Sequence, residues 1–434
     1  MTVETFMQNH SLSFKTALDK TTMSRRHYPL HRHSNVAQSA MGHLKSLDTD
    51  DPSQHGWTFH TERAGVRIYS KRLPGESIPT FRGDGWIDGN WSLEDIAAVI
   101  RTLGARQIWD ERMDFGHTVA MFNSNEVLTH VGMKGSFPVG DRDFSLLSNL
   151  EIDSATETVY YASRSVEDPL IAPDPNNKRI RCNLNIAGWI LHRRKSRPAP
   201  TSLSTVEPVN PVKSRMRACS RPPPILTSPR FLTKSHDVYA PPVPPVHIDA
   251  PCVQVTYVVQ IDLRGSVPQT LINTLAMQLP QCIATVSSYA SKFGFPPYFE
   301  RHNIKQGITV LTEEFEHKLG TYNLIYKVDS ELKEPVTQVR FCKTMFREGY
   351  EIEVKRAKEW KMVEDVDGKG ITLLINNSGM EGVPTQVRIS KKKKIVKRRV
   401  VAQQKPSTPI EALLIDWPMP PARDNNGVVT AIAQ

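Results

Sequence analysis

Between residues 253 and 299 the chain switches within a few positions from the two-residue period of a β-strand to the 3.6-residue period of an amphipathic helix. Val253, Val255, Tyr257, Val259, Ile261 and Leu263 fall on one strand face, and Gln254, Thr256, Gln260 and Asp262 on the other. One face is expected to be buried and the other mostly wet. Arg264-Gly265 ends the strand, and Ser266 then serves as a helix N-cap, with Pro268 in the first turn and Gln269 three residues after the serine. Leu271, Ile272, Leu275, Leu279, Ile283, Val286, Ala290 and Phe293 recur every three or four positions and form one apolar stripe to lie on the sheet. Pro280, inside this pattern, removes one backbone bond and is expected to kink the helix.

Upstream, residues 1–38 are polar and aperiodic and read as a disordered tail, followed by a short helical stretch at 40–47. Strands are expected at 66–72, 81–87, 118–122, 126–134, 143–152, 158–165 and 179–192. Ser92 opens a helix whose stripe is Leu93, Ile96, Val99, Ile100 and Leu103, with Glu94 and Asp95 in its first turn. Successive strands with few helices between them argue for an antiparallel sheet in an α+β fold. Residues 193–251 hold 13 of the chain's 32 prolines and no apolar period, so they read as a disordered loop between two neighbouring strands. Such an insertion is tolerable because closure entropy grows only logarithmically, by ~0.6 kcal/mol per doubling of length.

The run VTYVVQIDLRGSVP, the helix after it and Gly294-Phe295-Pro296-Pro297, together with Trp109-Asp110 and Arg142-Asp143-Phe144 upstream, resemble the START family of lipid-binding domains over roughly residues 40–299. The resemblance implies a helix-grip fold: a curved antiparallel sheet, with a C-terminal helix as lid, around a cavity for one lipid or sterol. The hollow interior rests on the resemblance alone, because a one-sided strand beneath an amphipathic helix equally suits a solid core. The insertion departs from the family pattern. In several relatives the arginine matching Arg142 lies in the cavity beside an acidic partner, and Glu126 on the preceding strand stands where such a partner would. Trp109, Phe144, Trp189, Tyr257, Leu275, Leu279 and Ile283 are the apolar candidates for lining, and His130 shares the face of Glu126 by period two. Each also has a plain reading, as a core residue or a structural ion pair. The resemblance puts a loop over the cavity mouth at 169–173, where Leu170 and Ile171 would either dip into a bilayer or pack back on the sheet.

After Phe299 the pattern changes to short alternating strands, with Tyr322, Leu324, Tyr326 and Val328 on one face, Tyr350, Ile352 and Val354 in another run, and a hairpin turn at Asp367-Gly368. These residues, 304–390, are expected to form a small β-sandwich-like domain of no recognised family, before a basic disordered tail at 391–434. The net charge of +10 is segmental: residues 192–250 hold ten Lys/Arg against three acids, and seven more cations lie between Lys391 and Arg399. Those segments suit transient contact with an anionic membrane surface rather than specific nucleic-acid recognition, and the proline-rich loop and β domain offer surfaces for a protein partner. Five cysteines without metal-ligand spacing suggest reduced thiols and a cytoplasmic protein. No run reaches the ~18 to 20 apolar residues that a spanning helix needs, and no catalytic or cofactor motif stands in a suitable context, so no cofactor is expected. Lipid binding and transfer is the leading expectation. Two alternatives stay open: a helix-grip enzyme using His130 and Glu126 as acid and base on a hydrophobic small molecule, and a lipid-sensing scaffold.

Overall fold

The alternation of Cys252–Asp262 (β10) puts Val253, Val255 and Val259 on one face and Val258 on the other, and all four are buried. The computed structural model describes residues 31–392, apart from 55, 73–75, 77, 136–139, 177, 198–249, 266–276, 302–306, 331 and 333–334. Most of the proline-rich insertion, the expected N-cap Ser266 and the basic tail beyond 392 lie outside the described residues.

The sheet around β10 is assembled from Thr58–Arg63 (β1), Val66–Lys71 (β2), Thr80–Asp88 (β3), Met113–Met121 (β4), Glu126–Met133 (β5), Arg142–Asp153 (β6), Thr158–Ser165 (β7), Ile180–Arg181 (β8) and Asn183–Arg194 (β9). Its order is β1-β2-β3-β10-β9-β7-β6-β5-β4, all antiparallel, with β8 pairing parallel to β6. Strand β10, far along the sequence, completes the sheet between β3 and β9.

The outer face is not wet. Helix Ser34–Asp48 (α1) sets Ala40, Met41, Leu44 and Leu47 against Ile186, Ile190 and Val258. Thr256 and Gln260, expected to meet water, are buried because they bond within the protein: Thr256 Oγ1 donates to Asp84 Oδ1 at 2.6 Å, and Gln260 Nε2 donates to Glu76 Oε2 at 2.7 Å. Helix α1 starts at Ser34, inside the stretch read as a polar tail, because side chains hold its first residues. His31 Nε2 meets Glu126 Oε2 at 2.9 Å, while Arg32 Nε and His33 Nε2 reach Asp168 Oδ2 at 2.6 and 2.7 Å. The hydrogen bond from Arg32 is the main reason that Asp168 titrates well below the usual carboxylate range.

The inner face lies under Leu93–Arg101 (α2), Leu103–Trp109 (α3) and Cys282–Phe293 (α4). A capping box fixes the start of α2: Ser92 Oγ accepts from Asp95 N at 3.0 Å, and Asp95 Oδ2 accepts from Ser92 N at 2.9 Å. Extended backbone at Thr102 then turns the chain into α3, a helix that the sequence pattern merges with α2. Pro280 sits in a 3₁₀ turn, Leu279–Gln281, immediately before α4, so it interrupts the helical path and does not kink an α-helix interior. This turn approaches the sheet closely. A Cβ on Gly83 would lie 2.5 Å from Pro280 Cβ, so only glycine fits there.

Past α4 the chain builds two four-stranded antiparallel sheets. One joins Tyr298–Phe299 (β11), Val336–Cys342 (β14), Gly370–Asn376 (β17) and Glu359–Glu364 (β16); the other joins Ile308–Glu316 (β12), Thr321–Val328 (β13), Thr385–Lys391 (β18) and Tyr350–Lys355 (β15). Tyr322, Leu324 and Tyr326 of one sheet share a core with Val339, Phe341 and Leu373 of the other, a sandwich arrangement. The expected Asp367-Gly368 turn joins β16 to β17, with Gly368 at φ 68°, a left-handed conformation that suits glycine.

This β region is joined to the helices by buried charge. Glu313 on β12 pairs with Arg101 at 3.1 Å and with Arg301, and also accepts from Phe299 N at 2.8 Å. Burial opposes its ionisation, but the two guanidiniums outweigh burial and hold its carboxyl below the ordinary range. Tyr298 Oη and Arg340 Nε both donate to Asp95 Oδ1, at 2.9 and 3.0 Å. Glu313→Ala leaves two buried arginines without their carboxylate and is expected to cost ~3–5 kcal/mol in chemical denaturation; a loss below ~1 kcal/mol would show the triad to be dispensable.

His317 packs among Tyr289, Phe293 and Phe315, and its Nδ1 lies 2.8 Å from Tyr289 Oη. Burial, helped by Lys391 and Lys292, lowers its pKa to about 4. An unfolded histidine titrates near ~6.5, so between those values the unfolded chain binds a proton that the native ring refuses. Stability from this site is therefore complete above about pH 6.5 and declines as pH falls toward 4. The melting temperature of His317→Gln should fall less steeply across that window than that of the parent, and parallel slopes would refute the assignment.

Candidate ligand cavity

Alternation on the central strands decides which side chains reach the space beneath the helices. Val131 and Met133 of β5, Arg142, Phe144 and Leu146 of β6, Leu184 and Trp189 of β9, and Tyr257, Val259 and Ile261 of β10 line a cavity of about 200 Å³. Ile100, Arg106, Trp109 and Asp110 roof it from α2 and α3, and Leu279 and Cys282 close it from the C-terminal helical segment. The wall is mostly apolar. Trp109 is fixed by donating from Nε1 to Val99 O at 2.9 Å, and its ring meets Trp189 edge-on at 6.1 Å. Trp189 in turn lies 4.4 Å from Tyr257, whose hydroxyl is pushed up in pKa by burial.

Polar groups interrupt this wall, chief among them Arg142 and Asp110. Arg142 is 5% exposed, its Nη1 donates to Gly140 O, and its Nε has no hydrogen-bond partner among the described residues. A buried donor left unmade costs ~1–3 kcal/mol. Burial also raises the neighbouring Cys182 thiol to about 12, despite the positive charge of Arg142. The second group is Asp110, held between Arg112 Nε at 3.0 Å and Arg106 Nη2 at 3.3 Å. Burial disfavours its charge, yet the two arginines win and keep its pKa low. Sequence reasoning passed over this cluster, although Arg106 and Asp110 stand four residues apart, the spacing of facing helix neighbours.

Of the residues expected at the site, Trp109, Arg142, Phe144, Trp189, Tyr257 and Leu279 meet at the cavity. Glu126 and His130 do not. They alternate with Val131 and Met133 along β5 and so face the other side. Glu126 binds His31 and Asn123, while His130 Nε2 lies 2.8 Å from Asp143 Oδ2, which also pairs with Arg181. The expected Arg142–Glu126 ion pair does not form, because Arg142 is registered against Met133 and Glu126 against Asn149, near opposite ends of β5. Ile283 is buried in the core beneath β3 and does not line the cavity, and Leu275 lies outside the described residues. Leu170 is 61% exposed, but Ile171 is buried with Ala37, Leu128 and Leu147 on the outer face. The 3₁₀ turn Pro169–Ile171 therefore packs away from the cavity instead of covering its mouth.

Residues 53–222 match the START domain family. Among solved structures, human StAR-related lipid transfer protein 5 is similar at 15% identity, covering 60% of this chain and 97% of that one with a TM-score of 0.43. The STAR-related lipid transfer protein of Xanthomonas axonopodis (fragment 25–204) is similar at 16% identity over 54% of this chain and 99% of that one, with a TM-score of 0.36. No curated protein matches the sequence. Among the described residues no helix is long and apolar enough to cross a membrane.

Proposed function

We propose that this protein binds a single lipid or sterol in the cavity under α2, α3 and the Leu279–Phe293 segment, and carries it between membranes. The observation that carries the reading is the unpartnered Nε of Arg142 beside a mostly apolar cavity in the segment that matches the START domain. Burial of a ligand's apolar body supplies affinity at roughly 25 cal/mol per Å², and Arg142 selects for an oxygen at the inner end. The volume of about 200 Å³ is below the ~300–1,000 Å³ of ordinary ligand sites, so lipid entry requires the cavity to widen. The 3₁₀ turn at Leu279–Gln281 is where that widening costs least, since its backbone lacks the continuous bonding of α4. Basic segments at 192–250 and 391–399 would hold the protein at an anionic surface during exchange.

The catalytic alternative loses its acid–base pair, because His130 and Glu126 lie on the outer face, each engaged in a structural contact. In a liposome-to-liposome assay the full chain should transfer fluorescent lipid, and Arg142→Leu should slow transfer about tenfold, equivalent to ~1.4 kcal/mol, with little change in melting temperature. Well-folded parent protein that neither transfers nor retains lipid would overturn the reading.

A further inference from the structure

A larger cleft, of about 670 Å³, opens between the START sheet and the C-terminal β region. On the sheet it continues the rows that line the apolar cavity: Val127 and Thr129 precede Val131 on β5, and Leu150 and Ser148 lie beyond Leu146 on β6. The two spaces nearly touch. Thr129, in the cleft, is registered directly opposite Leu146, in the cavity. Ser148 Oγ, in the cleft, lies 2.8 Å from Ser163 Oγ, in the cavity, and the Tyr161 side chain borders both.

The cleft differs from the cavity in chemistry. Its charges balance, with Arg101, Arg301 and Arg388 against Glu313, Glu314 and Glu316. Glu313 is already satisfied by Arg101 and Arg301. An ion entering here would lose hydration without meeting an excess of opposite charge. Exposed Gln107 and Asn323 and half-buried Thr118 also border the cleft, and among the described residues no side-chain hydrogen bond engages them. Amides and hydroxyls both donate and accept, as the hydroxyls of a polyol do.

We propose that this cleft is a second ligand compartment that takes an uncharged polyhydroxylated group, a sugar or polyol. The group is either a free molecule or the head of an amphiphile whose chain passes Tyr161 into the apolar cavity; the second source rests on the lipid-binding reading above. β12, β13 and β18 then complete a site for which the START sheet supplies one wall.

Isothermal titration of the full chain with maltose, decyl maltoside below its micellar concentration, and decanol tests this, alongside a Gln107→Leu/Asn323→Leu variant. Binding of maltose and decyl maltoside, each weakened at least tenfold in the variant, supports the compartment with a free sugar as a sufficient ligand. Binding of decyl maltoside alone, equally weakened, supports it with a lipid head as the source. Decyl maltoside that binds no better than decanol, or that is unaffected in the variant, overturns the proposal. So does failure of both maltosides to bind. Decanol binding in either case leaves the lipid cavity standing, and its failure counts against that cavity alone.

Discussion

The buried triad Arg101–Glu313–Arg301 ties together three parts of the chain that are far apart in sequence: the last turn of α2, the segment after α4, and β12. Its net energy matters less than the penalty for losing one member, since an uncompensated buried charge is costly. The consequence is mechanical. The roof of the cavity, the C-terminal end of α4 and the β region are locked to each other, and the docking of His317 on Tyr289 and of Arg340 on Asp95 reinforces the lock. A lid that swings as a whole helix would have to break these contacts. Yielding at the Leu279–Gln281 turn, at the opposite end of α4, would not.

A second constraint is the parity of the strands. Odd-numbered positions of β5 and β10 and even-numbered positions of β6 face the helices, so a cavity wall is assembled from residues two apart on each strand. The alternate positions build a separate outer layer. There Glu126, Asp168 and Asp143 meet His31, Arg32, His33, His130 and Arg181, and α1 covers the remaining apolar surface. One sheet thus keeps the cavity wall and this layer of ion pairs on opposite faces.

Parity also explains how much of this was legible in the sequence. The strand at 253–263, the helix opened by Ser92 and the Asp367-Gly368 hairpin could be read because their periodicity is local. Period two groups Glu126 with His130 correctly but is silent on which side the pair faces, and register, a long-range property, put Arg142 near Met133. The burial of Thr256 and Gln260 was equally illegible, since it depends on α1 and on partners such as Asp84, more than 170 residues upstream of Thr256. Strand β1 was missed because all but one of its residues are exposed, leaving no apolar alternation to detect. Apolar lining residues such as Trp109, Trp189 and Tyr257 could be proposed through family resemblance, whereas the Arg106–Asp110–Arg112 cluster required the geometry of α3 to be seen.

The proposed function requires the space beneath the helices to hold a lipid. Native mass spectrometry of the full chain, with extraction and identification of whatever is bound, measures this most directly. The expected result is a single lipid-sized adduct per chain, displaced by added lipid and diminished in Arg142→Leu. A homogeneous, folded, adduct-free protein that takes up no lipid on incubation with vesicles would contradict it.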